Sequence, residues 1–131
     1  MQYIDTNVLA RILLQDDPVQ GRRADRFVDA AAERGESLLV TDVVLAELFW
    51  MLKQKSVPRE MVLTMMIRLL DNGSFQFDDH ERTAMAVGLW AEHNVDFADA
   101  YLAARCGREG EGEVISFDSD FKRLPVHWVQ P

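Results

Sequence analysis

Apolar positions along this chain fall into two alternating spacings. Short runs rich in aromatic and β-branched residues read as strands: Gln2-Tyr3-Ile4, Leu38-Leu39-Val40, Phe75-Gln76-Phe77, Val114-Ile115-Ser116-Phe117 and Val126-His127-Trp128-Val129. Between them the apolar residues recur at helical intervals. Asp5-Thr6-Asn7 offers N-cap chemistry to a helix carrying Val8, Leu9, Ile12 and Leu13, which Asp16-Asp17-Pro18 breaks. A second helix is expected over residues 19–34, with Ala24, Phe27, Val28 and Ala31 on one face and Gly35 at its end. Thr41 is a good N-cap for an apolar helix over 42–53. Ser56-Val57-Pro58-Arg59-Glu60 restarts a helix, with Pro58 near its first turn, that runs to about Leu70 and stops at Asn72-Gly73. Asp78-Asp79 caps a helix whose apolar face includes Ala84, Val87 and Trp90 and which ends near His93-Asn94. The next helix starts at or near Asp96, runs from Phe97 to Cys106 and is ended by Gly107. Residues 107–112 read as a polar loop and residues 118–123 as a turn or short helix.

Strands alternating with helices predict an α/β fold in three layers: a central, mostly parallel sheet of four to five strands flanked by helices, joined by right-handed crossovers. Sheets of this kind bind ligands in a crevice beyond the carboxyl ends of their strands. The sequence has no internal repeat, low-complexity segment or linker, so its 131 residues are expected to form one domain spanning 1–131.

Composition narrows the class. A hydrophobic fraction of 48% and a charged fraction of 27% are those of an ordinary soluble domain, expected in the cytoplasm. No run approaches a transmembrane span, and Met1-Gln2-Tyr3-Ile4-Asp5 has neither the basic lead nor the apolar core of a signal peptide. Cys106 is the only cysteine, which excludes an internal disulfide, and no Cys/His spacing suits zinc. His80, His93 and His127 lack catalytic partner spacing. The net charge of −8 argues against an adventitious nucleic-acid binder without excluding a nuclease. Basic residues are grouped as Arg22, Arg23 and Arg26 and as Lys53, Lys55 and Arg59. Solvated helix surface is the plainer reading of each group. A second is that a partner's basic segment covers an acidic cleft. No aromatic-basic stacking motif is evident along the chain.

Four acids interrupt or end apolar runs: Asp5 after Tyr3-Ile4, Glu47 within Val43–Trp50 (residues 43–50), Asp99 ahead of Ala100-Tyr101-Leu102, and Asp118 after Val114-Ile115-Ser116-Phe117. No lysine or arginine lies inside these runs. Buried anions need compensation, and clustered ones need a counter-ion. Hard oxygen ligands select Mg²⁺ or Mn²⁺, and the chemistry such a site serves most naturally is phosphodiester cleavage. On a helix, Glu47 has Val43 and Met51 as its i−4 and i+4 neighbours, which puts it on or beside the apolar face. Each acid also has an ordinary role open to it: Asp5 as an N-cap, Glu47 at a helix edge, Asp99 as a first-turn acid favoured by the helix dipole, Asp118 starting a turn with Ser119 and Asp120. Singly, those roles serve as well as catalysis. Jointly they serve less well, because all four acids fall where a helix-covered sheet would aim them at one crevice.

Four segments carry a family likeness. Asp5-Thr6-Asn7 after a first strand, the mid-helix glutamate of Thr41-Asp42-Val43-Val44-Leu45-Ala46-Glu47, the run Val95-Asp96-Phe97-Ala98-Asp99-Ala100-Tyr101-Leu102-Ala103-Ala104, and Ile115-Ser116-Phe117-Asp118-Ser119-Asp120-Phe121 resemble, in order and interval, the motifs of PIN domains. The closest type is the VapC toxin of bacterial type II toxin–antitoxin pairs. The resemblance implies a metal-dependent endoribonuclease. Asp5, Glu47, Asp99 and Asp118 match its acidic quartet. Mg²⁺, with Mn²⁺ able to substitute, would be held by Asp5, Asp99 and Asp118, and Glu47 would orient water or bind a second ion. Thr6, Asn7 and Ser116 match supporting positions; Ser116 stands where threonine is more usual, and Asp96 is an additional acid found in part of the family. A toxin reading implies RNA as substrate, a protein antitoxin, a homodimer and no membrane.

Three other readings compete. A PIN-type nuclease of RNA processing would act without an antitoxin. A receiver-like signalling domain would also combine α/β topology with acids and Mg²⁺, but Asp5 is followed by Thr6-Asn7 rather than by another acid, and no lysine follows residues 126–129. A silent binding module would not need the intact acids. Phe49, Trp50, Met51, Leu52, Met65 and Met66 exceed what one helix pair needs for its own core, which leaves a groove for an amphipathic partner segment alongside plain core packing.

Overall fold

Short strands and caps set the backbone. A computed structural model of the chain describes residues 1–109 and 112–131. In residues 1–78 the order is β1 (Gln2–Tyr3), α1 (Thr6–Leu14), α2 (Pro18–Glu33), β2 (Leu38–Val40), α3 (Asp42–Gln54), α4 (Arg59–Asp71) and β3 (Phe75–Phe77). In residues 79–131 it is α5 (His80–His93), α6 (Phe97–Glu109), β4 (Glu113–Ile115), a 3-10 turn (Ser119–Arg123) and β5 (His127–Val129). These are two compact units, Met1–Asp78 and Asp79–Pro131.

In the first unit the strands pair in parallel in the order β1-β2-β3, with Tyr3 beside Leu39 and Leu39 beside Gln76. The Ile4 amide donates to the Leu39 carbonyl at 3.0 Å, so the ladder runs one residue past β1 and delivers the chain to Asp5. Asp17 accepts from the Val19 and Gln20 amides, and Pro18 opens α2, where its missing N–H is no loss. Thr41 accepts from Val44 at 3.3 Å to start α3. Leu9, Leu38, Val40, Leu48, Leu52 and Met66 are the fully buried centre of this unit.

In the second unit β4 and β5 pair in parallel, Val114 beside Trp128. Asp79 caps α5 through the Arg82 amide at 3.0 Å, and Asn94 ends it in the left-handed region at φ 50°. Small residues, Ala86, Ala100, Ala103 and Ala104, are buried where α5 and α6 pack, and Trp90, Val95 and Phe97 close the same core.

The strands are all parallel and separated by helices, as expected of the α/β class. Several boundaries and faces differ. The helix expected to restart within Ser56-Val57-Pro58-Arg59-Glu60 starts at Arg59: Ser56, at φ 56°, finishes the turn after α3 with its amide donating to Lys53, and Pro58 is the N-cap of α4. α6 continues to Glu109, over the first residues of the polar loop expected at 107–112, of which residues 110 and 111 lie outside the described residues. Phe117 is 76% exposed and beyond β4. The buried stripe of α2 is Gly21, Ala24, Val28 and Ala31, which leaves Phe27 outside it. On α5 the stripe is Thr83, Ala86, Val87 and Trp90, with Ala84 exposed. Of the expected surplus on α3 and α4, Phe49, Leu52, Met65 and Met66 are core; Trp50 alone is exposed, at 62%, with Met51 half-buried. No described helix is long and apolar enough to cross a membrane.

Candidate metal centre

The acids of the second unit are placed by short-range chemistry. Val95, Phe97 and Ala100 are buried and anchor the start of α6. The Asp96 carbonyl accepts from the Asp99 and Ala100 amides, which fixes Asp99 in the first turn, half-buried. After β4, the Ser116 amide donates to Val129 and its carbonyl accepts from Trp128 Nε1 at 2.8 Å. Ser116 Oγ, held there, accepts from the Asp118 amide at 2.9 Å, and Asp118 Oδ1 accepts from the Asp120 amide at 2.9 Å. Phe121, 3% exposed, pins the turn to the core. The alternation of acid and apolar anchor leaves both aspartates at the surface end of the turn.

One carboxylate oxygen each from Asp99, Asp118 and Asp120 lies within 4.8 Å of the other two. Partial burial raises the Asp99 pKa above the ordinary aspartate value, and the negative charges of Asp118, Asp96 and Asp120 raise it further. The cation beside this group is Arg123, 3.4 Å from Asp120 on an exposed surface. A set of hard oxygen donors, mutually repelling and one of them partly desolvated, is suited to a divalent ion. Two ligands of one Mg²⁺, each at about 2.1 Å, stand at most roughly 4.2 Å apart, so the three oxygens are close to such a spacing.

Asp120 was not among the acids that interrupted apolar runs. The signal for it was the Asp118-Ser119-Asp120 turn, whose Asx geometry brings residues i and i+2 to one side.

Asp5 and Glu47 belong to the first unit. Asp5 stands at the N-cap of α1, where its carbonyl accepts from Val8 and Leu9, but its side chain makes no cap hydrogen bond. The carboxylate is exposed, so capping does not account for it. Thr6 beside it is 1% exposed with an Oγ1 that has no hydrogen-bond partner, and Asn7 is exposed. Glu47 is exposed on α3 and not on its buried face, which is Leu45, Leu48, Phe49 and Leu52; its i−4 neighbour Val43 is 77% exposed. The expectation that the acids are uncomfortable because they are buried therefore holds in part for Asp99 alone. Asp96 and Asp118 are exposed as well. Among the described residues, no arginine or lysine pairs with Asp5, Glu47, Asp99 or Asp118.

The chain is 25% identical to the VapC ribonuclease of Aquifex aeolicus (strain VF5) over 132 residues, covering 100% of this chain and 97% of that one. A family model described as the PIN domain matches residues 2–126, a span that runs through every strand-end acid described above. The chain belongs to the PIN domain family.

Proposed function

We propose that this chain is a Mg²⁺-dependent endoribonuclease, the toxin of a type II toxin–antitoxin pair, acting as one PIN-like domain over residues 1–131. The observation that carries the reading is the trio of carboxylate oxygens from Asp99, Asp118 and Asp120 within 4.8 Å. The full-length similarity to a VapC ribonuclease supports it.

Asp5, Asp99 and Asp118 would hold the metal, with Asp120 beside them. When bound, Mg²⁺ supplies charge neutralisation at a phosphoryl oxygen and a lowered pKa for an attacking water. The chain's own residues do the positioning. Asp99 is presented by the first turn of α6. Asp118 is presented by a turn that Ser116 Oγ braces. Glu47, an exposed carboxylate on α3, would orient the water or hold a second ion. Thr6, Asn7 and Asp96 are supporting residues in this reading. The partners are RNA, a protein antitoxin and a second copy of the chain, in the cytoplasm, and Mn²⁺ would substitute for Mg²⁺.

The test uses protein purified free of any partner and incubated with RNA and Mg²⁺ or Mn²⁺. The parent cleaves, and Asp5→Ala and Asp99→Ala each lose activity on the order of 10²-fold or more. Equal cleavage by parent and variants refutes the assignment.

A further inference from the structure

A cleft of about 1130 Å³ opens in the first unit beside Asp5, between β1, α1 and α2. It is larger than the roughly 300–1,000 Å³ of a small-molecule site and is open rather than enclosed, which suits a strand lying across it. Tyr3 and Phe27, 69% and 50% exposed, are in its wall, and so are Arg23 and Arg26. Arg11 also reaches the cleft, but Asp16 and Gln20 hold its guanidinium. Arg23 and Arg26 make no ion pair among the described residues, in a chain of net charge −8. Tyr3 comes from β1, whereas Arg23, Arg26 and Phe27 lie on one flank of α2. Uncompensated guanidiniums beside exposed aromatic rings are the chemistry that takes single-stranded nucleic acid: phosphates on the cations, unstacked bases on the rings.

We propose that this cleft is the track for the single-stranded RNA leading to Asp5, with Arg23 and Arg26 on its phosphates and Phe27 and Tyr3 stacking a base. The inference rests on the ribonuclease reading and assigns the residues that position its substrate. Along the sequence Arg23, Arg26 and Phe27 stand together, but Phe27 reads there as part of the buried face of α2, and Tyr3 joins them only through the fold. An acidic protein segment would also be drawn to the guanidiniums, but it would leave the exposed rings without a function.

Binding is measured with chelator present, so that nothing is cut, by fluorescence anisotropy of a labelled single-stranded oligouridylate on the full chain. The Arg23→Ala/Arg26→Ala double variant weakens binding about tenfold and lowers the salt slope of log Kd by about 0.7 per guanidinium. Phe27→Ala weakens it about fivefold to a hundredfold, and Phe27→Trp restores it. Arg22→Ala, outside the cleft, leaves it unchanged. Circular dichroism checks that each variant folds, which the exposure of these side chains favours. Parent-like binding by both the arginine and the Phe27 variants overturns the cleft, as does a parent that binds no RNA or that binds polyglutamate equally well through Arg23 and Arg26. Cleavage assays in Mg²⁺ separate the two proposals. Cutting with no dependence on the cleft sinks only the track. Cleft-dependent binding with no cutting in any metal sinks only the nuclease.

Discussion

Asp5 and Asp99 each stand at the start of a helix, Asp5 ahead of α1 and Asp99 in the first turn of α6, and among the described residues no basic side chain pairs with either. Their surroundings differ in sign. Asp99 is half-buried among Asp96, Asp118 and Asp120, which hold its pKa up. Asp5 is exposed at the mouth of a cleft whose walls carry Arg11, Arg23 and Arg26. The acids of the first region have the exposed Arg123 beside them, on Asp120 alone, and call for more positive charge, whereas Arg23 and Arg26 of the second have no ion-pair partner among the described residues and call for negative charge. A divalent metal and a phosphodiester backbone are one pair of ligands that meets both demands. The comparison also shows why a net charge of −8 says little about nucleic-acid binding here, because the two signs are sorted into different places.

The sharpest way to break this contrast is to ask which acids of the Asp99 cluster are ligands and which only add charge. Asp118→Ala removes an oxygen and the brace for Asp120 together, and RNA cleavage in Mg²⁺ falls on the order of 10²–10³-fold. Asp120→Asn keeps the size and the turn but removes a charge, and cleavage falls about 10- to 100-fold with a raised Mg²⁺ requirement. Titrating activity against Mg²⁺ for both variants decides it. A parent-like Mg²⁺ curve for Asp120→Asn would leave Asp99 and Asp118 as the ligand pair in this unit.

Ser116→Ala gives a smaller effect. Its Oγ accepts from the Asp118 amide and touches no proposed ligand oxygen, so it acts by positioning. Cleavage falls about 10-fold and the apparent Mg²⁺ affinity weakens, whereas Ser116→Thr keeps both. If Ser116→Ala cleaves like the parent at every Mg²⁺ level, the turn is held well enough by Phe121 and the β4–β5 ladder alone.

How much of this was legible in the sequence depended on the range of the interactions. The strand–helix alternation, the caps at Thr41 and Asp79 and the placement of Asp99 and Asp118 follow from local periodicity and capping chemistry. Phe27 did not follow. At one position before Val28 it borders the buried stripe of α2, and helical spacing alone does not decide which border residue turns outward. Glu47 was misplaced for the same reason: Val43 looked like a core neighbour, whereas the core face of α3 is offset toward Leu45 and Leu48. The cleft was not legible because Phe27, next to Arg23 and Arg26, reads as a core residue, and because Tyr3 reaches them from β1, a proximity that is a tertiary fact. Trp50 and Val43 remain exposed on α3, so the groove read from the six apolar residues narrows to the outer face of that helix.

The subtlest consequence of the contrast is in stability against pH. Asp99 holds its proton more tightly in the folded chain than in the unfolded one, because of partial burial and then the charges of Asp118, Asp96 and Asp120. Where the folded state binds more protons, stability falls as pH rises. The favourable contribution is therefore complete below the ordinary aspartate pKa of about 3.9 and is lost as pH rises through the raised value. In metal-free protein at pH 7 the ionised Asp99 is a net burden. Asp99→Asn should raise the melting temperature there by about 1–3 °C, a modest figure because solvent screens a half-exposed group. The difference should shrink toward zero as pH is lowered to the ordinary aspartate range. Saturating Mg²⁺ should stabilise the parent and reverse the order of parent and Asp99→Asn, since a ligand that binds the folded state adds stability only where its site is intact. Melting curves of the parent and Asp99→Asn across pH, with chelator and with Mg²⁺, measure this. An Asp99→Asn variant that melts below the metal-free parent at pH 7 would show that the carboxylate is compensated in the folded chain, and the demand for a cation at this cluster would lapse.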